Sequence, residues 1–534
     1  MCGSERLRAA LIGKAHLCPS ECWERSGSLF SNDNPKRIEG AMNQESESVR
    51  NVAAQTPSKL RESCLSYSEV LAQSVSVIAP STVPAAVLGL IYAKAGNATW
   101  LSFVLGAFGL ALVTLNINQF ARRCASPGSL YSYIVQGLGP TAGVLGGWSL
   151  LFAYMLTGMS TLCGFALIAN VLLDQLFGIQ LPILLLFFIA ILTAFLIAFR
   201  DIQLSAKTML AFEGVAILFV LALGGLIWAN KGFAIDSRQF SLEGATPSGA
   251  LAGVVLVVFG FSGFESSTAL GAEAKNPLVT IPRSVLQSVL LAGLFFTAMA
   301  YVVVLGFDSG GASLAANEAP LSVLANSIGW GGLGTLINVG ILLSFFSCTL
   351  ASINSTARVL YSMAHHGLVH DALGQAHEQN RTPHIAVAVA ALVTFAVPAG
   401  VYVLGANAFD CQGYFGTLCS FGFIVVYLLI SLAAPVYLAS IGELSRKSIA
   451  YSVGAVGFMA LPVIGVIGIP GSDILPASDA TGVLLAKVFA AYMAVGLGWL
   501  FVQRVRQPKM VARMQSRSDV DIYLSGSFDS KVSS

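Results

Sequence analysis

The residues of this chain that can do chemistry inside an apolar medium are few, and two stretches hold most of them. Gly260 to Pro282 reads GFSGFESSTALGAEAKNPLVTIP. An apolar run from Leu251 to Phe259 meets two glycines three apart, Gly260 and Gly263, then a single carboxylate, Glu265. It leaves in the charged turn Glu273-Ala274-Lys275-Asn276-Pro277. Each glycine weakens a helix by roughly 1 kcal/mol relative to Ala. Broken backbone inside an apolar layer is tolerated only where protein or a water-filled cavity satisfies its N–H and C=O groups, so a break here points to a binding cavity. A carboxylate beside it is costly unless it pairs, binds or moves a proton. The second stretch, SVSVIAPSTVPAAVLGLIYAKAG, sets Pro80 and Pro84 four apart with Ser81 and Thr82 between them. Each proline removes a backbone donor and clashes with the carbonyl four residues back, so this helix is expected to break, or to kink with its hydroxyls bonded to their own backbone.

Other groups are weaker candidates. Glu213 lies six residues past Lys207, hence ~9 Å deeper along a helix. At that depth a carboxylate is expected to be protonated, paired, facing water, or snorkelling to the interface. Tyr154 needs a partner for its hydroxyl, either a substrate or a neighbouring helix. SFFSCTLASINSTARVLYSMAHHG aligns Ser347, Thr349, Ser352, Asn354 and Arg358. Hydroxyls on one helix face can coordinate a cation, although most in such helices bond their own backbone. His365, His366, His370, His377 and His384 fit no zinc spacing and read as solvated loop residues. The nine cysteines are scattered, and the CPSEC pair Cys18 and Cys22 has no second cluster near it, so no metal and no external disulfide are expected. The chain carries no G-x-S-x-G in a hydrolase context, no H-E-x-x-H and no P-loop. These absences speak against an enzyme and against an ATP-driven pump. No cofactor is expected, and an ion gradient is the expected energy source.

The elements that must position these residues are membrane helices. Over 534 residues the chain is 55% hydrophobic and only 10% charged, with a mean hydropathy of +0.75, which marks an all-α polytopic membrane protein. Twelve apolar runs are long enough to span, at about 70–94, 98–120, 141–172, 181–199, 207–229, 249–270, 284–306, 331–360, 384–404, 414–440, 451–470 and 483–503. Continuous runs of this length exclude a membrane β-barrel, whose strands alternate over ~10 residues. With the N-terminus inside, all 29 Lys and Arg except Lys94, Lys231, Arg238 and Lys487 fall on the inner side, so both termini are expected in the cytoplasm. The net charge of +2 is then a signal of orientation and gives no reason for a nucleic-acid partner.

Residues 1–68 and 506–534 are polar and read as cytoplasmic tails around a membrane domain of 69–505, with Met42 a possible alternative start. Between spans 2 and 3, ASPGSLYSYIVQGLGP turns at Pro127-Gly128, and its Tyr131 and Tyr133 suit an interface. Gly143, Gly146 and Gly147 in span 3 allow close helix approach. Spans 1 and 6 are broken near 79–84 and 260–263. Breaks at matching places of two five-span halves are the pattern of a carrier with its site at the midplane, the odd span number inverting one half against the other. Spans 11 and 12 stand outside such a repeat.

The residues also resemble a known family. GFE followed by AEAKNP and IPR, at 261–283, looks like the sixth span and inner loop of the amino acid-polyamine-organocation (APC) permeases, which have the LeuT-type fold. LASINSTARVLYSMAHHGLVHDALGQAHEQNRTPHIA at 350–386 is similar to that family's eighth span and following loop, and SPGSLYSYIVQGLGP at 126–140 to the segment after its second. The resemblance implies a small-molecule substrate, an amino acid or amine, held between broken spans 1 and 6. Its carboxylate would meet backbone N–H groups around Ser81 and Thr82, and its amine carbonyls near Ala79 and Phe259 to Phe261. Gly260 and Gly263 would form the second break, with Phe259 and Phe264 flanking it as gates or packing surfaces. Glu265 aligns with a carboxylate used by some members in proton-dependent gating. This chain departs from the family in carrying APSTVPA where a glycine-rich motif is usual, and in placing Glu213 where some proton-coupled members have a lysine. The expectation is a plasma-membrane secondary transporter of amino acids working by alternating access, with Glu213 or Glu265 carrying the proton. A polyamine, ethanolamine or other amine carrier, an exchanger, and a sensor built on a permease scaffold are the alternatives; oligomeric state stays open.

Overall fold

The computed structural model describes residues 60–307, 314–315, 320–467 and 480–506. Helix is the only extended regular structure among the described residues, with one isolated backbone bridge between Leu65 and Ala274. Ten helical stretches are long and apolar enough to cross a membrane. One of them, Tyr67–Ala121, contains both the first and second expected spans, and the shorter apolar helix Pro247–Gly260 is the first half of the sixth. All twelve expected spans are therefore accounted for. After span 1 they are Thr99–Ala121, Leu130–Phe177, Ile183–Arg200, Ile202–Asn230, broken span 6, Pro277–Gly306, Gly331–His365, His384–Val403, Ala408–Ser440, Arg446–Ile467 and Ala480–Arg506. Large apolar side chains such as Phe108, Leu218 and Leu294 are exposed. In a lipid layer that exposure carries no penalty.

Span 1 breaks where its sequence requires. Tyr67–Ile78 opens under a cap in which the Ser66 N–H donates to Glu69 at 2.7 Å. It ends at Ala79, whose φ of 50° and ψ of 63° are left-handed, a conformation that costs a non-glycine residue energy. Pro80 follows, and the chain restarts as Val83–Val87, wound with a wide i to i+5 bond from Leu88 N–H to Val83, before continuing as Leu88–Ala95. Pro84 sits in the first turn of the restarted helix, where its missing N–H is not needed. Span 6 ends its first half at Gly260, runs irregularly through Gly263 at φ +88°, and resumes as the single tight turn Ser266–Leu270.

Spans 3, 8 and 10 surround these breaks, spans 2 and 7 pack beside each other, and spans 11 and 12 lie against spans 2, 3 and 10. Span 3 differs from its expected limits. Its helix begins at Leu130, and Gly139 at φ 84° and ψ 177° with Pro140 kinks it. The piece before the kink folds back on the piece after it, so that Gly143, Gly146 and Gly147 receive Val135, Ile134 and Tyr131 of the same span. The three glycines thus allow the expected close approach, chiefly of the two pieces of one folded-back span, with Gly146 also facing Leu429 of span 10. For the same reason Tyr131 and Tyr133 are not interfacial. Both are buried, Tyr131 meeting His366 Nδ1 at 2.7 Å and Tyr133 donating to the Cys124 carbonyl at 3.3 Å.

The tails expected at 1–68 and 506–534 lie outside the described residues, apart from 60–68 and Arg506. Residues 60–66 are no featureless tail. Leu60, Cys64 and Leu65 are buried, and the backbone N–H groups of Cys64 and Leu65 both donate to the Glu273 carbonyl at 2.9 Å. Lys275 N–H returns a bond to Leu65 at 2.9 Å, and Gln203 Nε2 one to Cys64 at 2.7 Å. Burial pushes the Cys64 thiol up to about 11, helped by Glu273. It stays a thiol at any physiological pH and acts as packing.

Candidate functional site: two broken helices around a buried carboxylate

The two breaks face one another. A Cβ on Gly263 would lie 2.1 Å from Val77 Cγ1, and one on Gly260 would lie 3.3 Å from Val83 Cγ2. Gly263 is thus required twice, for its positive φ and for the close approach of span 6 to span 1. Below this contact, the Ser267 N–H donates to Ser74 Oγ at 3.0 Å and Ser266 Oγ to the Gln73 carbonyl at 3.2 Å. Span 8 closes the other side, with Ser347 Oγ on Ser76 Oγ at 2.9 Å and Cys348 Sγ on the Val77 carbonyl at 3.3 Å. Ala79, Ser81 and Thr82 are therefore brought to the same locus as Gly260 and Gly263.

Within that locus the groups differ in availability. Thr82 turns back on its own break, its N–H and Oγ1 both donating to the Ala79 carbonyl at 3.0 and 2.7 Å. Ser81 Oγ is buried and has no hydrogen-bond partner among the described residues. At the end of the first half of span 6, the Val258 and Phe259 carbonyls accept from Phe261 and Ser262 N–H at 3.3 Å. Phe259 is half-buried, whereas Phe261 and Phe264 are fully enclosed. Phe261 meets Phe296 edge-on at 5.0 Å, and Phe264 lies 5.0 Å from the Tyr427 ring. These two phenylalanines shape the protein wall of the break.

Glu265 is completely buried. Tyr154 of span 3 donates to its Oε1 at 2.8 Å and Tyr427 of span 10 to its Oε2 at 2.5 Å, while Tyr427 Oη accepts the Gly263 N–H at 3.0 Å. One carboxylate thus ties spans 3, 6 and 10 together through hydroxyls, with no cation against it. The partner that Tyr154 requires is this carboxylate. Tyr427 is a residue that sequence reasoning missed; its signal would have been a tyrosine deep in an apolar span needing the same explanation as Tyr154. Glu213 is likewise buried, both its oxygens accepting from Ser344 Oγ of span 8 at 3.0 and 3.1 Å. It does not snorkel; it lies between spans 5 and 8, beside Ser347, which bonds Ser76 of broken span 1.

A third carboxylate, Glu273, follows the span 6 break eight residues after Glu265. Glu273 takes a two-pronged pair from Arg358, Nε at 2.6 Å and Nη2 at 2.8 Å, with both side chains at most 1% exposed. Arg358 Nη1 donates to the Asn354 carbonyl at 2.9 Å, and Asn354 Nδ2 to Ser205 Oγ at 2.7 Å. Most of the polar row of span 8 bonds protein partners, Thr349 meeting Thr161 at 2.9 Å as well, while Ser352 Oγ and Asn354 Oδ1 are buried with no hydrogen-bond partner among the described residues. Among the described residues no group of three or more His, Cys, Asp or Glu is placed to hold a metal. Of the five histidines expected to be solvated, His366 is buried against Tyr131, and His370 alone is exposed.

Comparison with known proteins agrees with this geometry. Residues 74–502 match the family model described as amino acid permease. The chain is 24% identical over 435 residues to the branched-chain amino acid permease BcaP of Bacillus subtilis, covering 77% of this chain and 83% of that one. It is 25% identical over 385 residues to the mouse cationic amino acid transporter 4, covering 67% and 59%. In fold it is similar to a mutant form of the Eremococcus coleocola manganese transporter, with a TM-score of 0.53 at 12% identity over 84% of this chain and 94% of that one. With the family model spanning well over half its length, the chain belongs to the amino acid permease family and is an integral membrane transporter of amino acids.

Proposed function

We propose that the chain is a proton-coupled amino acid symporter of the plasma membrane, both termini cytoplasmic, working by alternating access around the facing breaks of spans 1 and 6. The observation that carries this reading is the approach of the Gly260–Gly263 break to Val77 and Val83 of the other broken span. Two interrupted helices leave backbone donors and acceptors unused by their own ladders, at opposite dipole ends. The substrate carboxylate is assigned to the start of the restarted span 1 helix, with Ser81 Oγ as its side-chain donor. The substrate amine is assigned to the carbonyl end of Pro247–Gly260, with Phe259 as the mobile wall.

For the proton, Glu265 is the first choice and Glu213 the second. Both carboxylates are buried with hydroxyl partners only, and a carboxylate so placed is expensive to keep ionised unless water reaches it. Glu265 touches the break directly and joins the spans that must part for the cavity to open, so a proton on it and a closed site are coupled. The test is uptake of labelled amino acids into proteoliposomes, without sodium, with and without an inward proton gradient. Accumulation above equilibrium only with the gradient is the expected result. Exchange between preloaded vesicles without any gradient effect would end the symport reading.

A further inference from the structure

Glu265 and Glu213 are the two carboxylates that lie inside a described span away from its ends. Glu69, Asp174 and Asp410 each stand within a turn of a helix terminus. A cationic side chain, or a polyamine, brought to the breaks has to be met there by a free carboxylate, since a desolvated ammonium without a counter-charge is strongly disfavoured. Neither carboxylate is free. Each oxygen of Glu265 already accepts a tyrosine hydroxyl. Aromatic rings pack on those tyrosines: the Phe423 ring centre lies 5.5 Å from that of Tyr154 and 5.7 Å from that of Tyr427, and the Phe264 ring centre 5.0 Å from that of Tyr427. Both oxygens of Glu213 accept from Ser344, and its neighbour Ser347 is bonded to Ser76 of span 1. Val77, Val83 and half-buried Phe259 stand at the breaks, and Ser81 Oγ there has no hydrogen-bond partner among the described residues.

From this we infer that the substrate carries an uncharged, apolar side chain, and that Tyr154 and Tyr427 are specificity-determining residues, because their hydroxyls already engage both oxygens of Glu265 and compete with a substrate cation for it. The inference rests on the breaks being the amino acid site. The relatives do not decide the matter, since they include transporters named for branched-chain and for cationic amino acids. The restriction is set by hydroxyl groups. Removing them alters the hydrogen-bond partners of Glu265 while leaving the cavity nearly the same size, since Tyr→Phe deletes one oxygen.

The experiment is initial uptake of leucine, phenylalanine, lysine, arginine and putrescine, each labelled, by the purified full-length chain in proteoliposomes. Leucine or phenylalanine is expected to exceed lysine, arginine and putrescine in kcat/KM by at least roughly tenfold, the discrimination an apolar pocket can give. Lysine or arginine equal to or better than the neutral amino acids would overturn the inference and leave amino acid transport standing. Putrescine alone would overturn both. In a second arm, the Tyr154→Phe/Tyr427→Phe double variant is expected to raise the lysine-to-leucine uptake ratio by about tenfold. An unchanged ratio, in protein that still moves leucine, would remove the tyrosines from the specificity role. Because a ratio within one preparation is read, a lower overall rate does not affect the result.

Discussion

Glu265 and Glu273 are eight residues apart on one stretch of chain, both fully buried, and they are solved in opposite ways. Glu265 is met by two neutral hydroxyls from spans 3 and 10; Glu273 is met by a guanidinium from span 8 in a two-pronged pair. Hydroxyl partners accept either protonation state of a carboxylate at small difference in geometry, since the tyrosines can donate to a carboxylate or share bonds with a carboxylic acid. A guanidinium does not, because it is always charged and has no acceptor. The difference teaches that the partners at one end of the stretch tolerate either protonation state of their carboxylate, and the partner at the other end favours only the ionised one.

The comparison breaks first at Glu273. Arg358→Ala should cost about 3–5 kcal/mol, the usual result of stranding one member of a buried ion pair. The Arg358→Met/Glu273→Leu double variant should recover much of that, as read by thermal unfolding in detergent. At the break itself, Gly263→Ala has no relaxed conformation at φ +88° and drives a methyl into Val77, so a loss of about 1–3 kcal/mol is expected, with transport falling further than stability. Glu265→Gln sharpens the contrast. It keeps acceptors for one tyrosine and should change stability by only about 1 kcal/mol, yet abolish gradient-driven accumulation while sparing exchange. The same change at Glu213 tests which carboxylate carries the proton, and full accumulation in both variants would refute direct titration. The smallest effect is expected from Arg61→Ala. Its 2.9 Å pair with Asp201 is open to solvent, with side chains 43% and 33% exposed, so less than about 1 kcal/mol is at stake.

The breaks were legible in the sequence because they are local backbone physics. Pro80, Pro84, Gly260 and Gly263 act on their own turn, and a lone Glu265 in an apolar run announces itself. The partners were not legible, because they arrive from far along the chain. Tyr427 lies 162 residues from Glu265, Ser344 lies 131 from Glu213, and Arg358 lies 85 from Glu273. Glu273 and Arg358 were visible as charges near inner ends, and a burial argument applied to Arg358 would have demanded a carboxylate; Glu273 is the acidic residue of the facing loop. Span 3 misled for a physical reason. Tyr131 and Tyr133 after a Pro-Gly turn resemble interface residues until the Gly139-Pro140 kink folds them inward. The last residues before span 1 misled as well, since their burial depends on a loop roughly 200 residues later.

That last contact has a mechanical meaning. The clasp between Leu65 and Ala274 is made by main-chain groups, through Cys64, Leu65 and Lys275 N–H. It fastens the half of span 1 before its cut at Ala79 to the half of span 6 after its cut at Gly263. Two half-helices joined in this way are mechanically linked: a tilt of either strains the same three backbone bonds. Because peptide groups carry the linkage, it is indifferent to which side chains stand there.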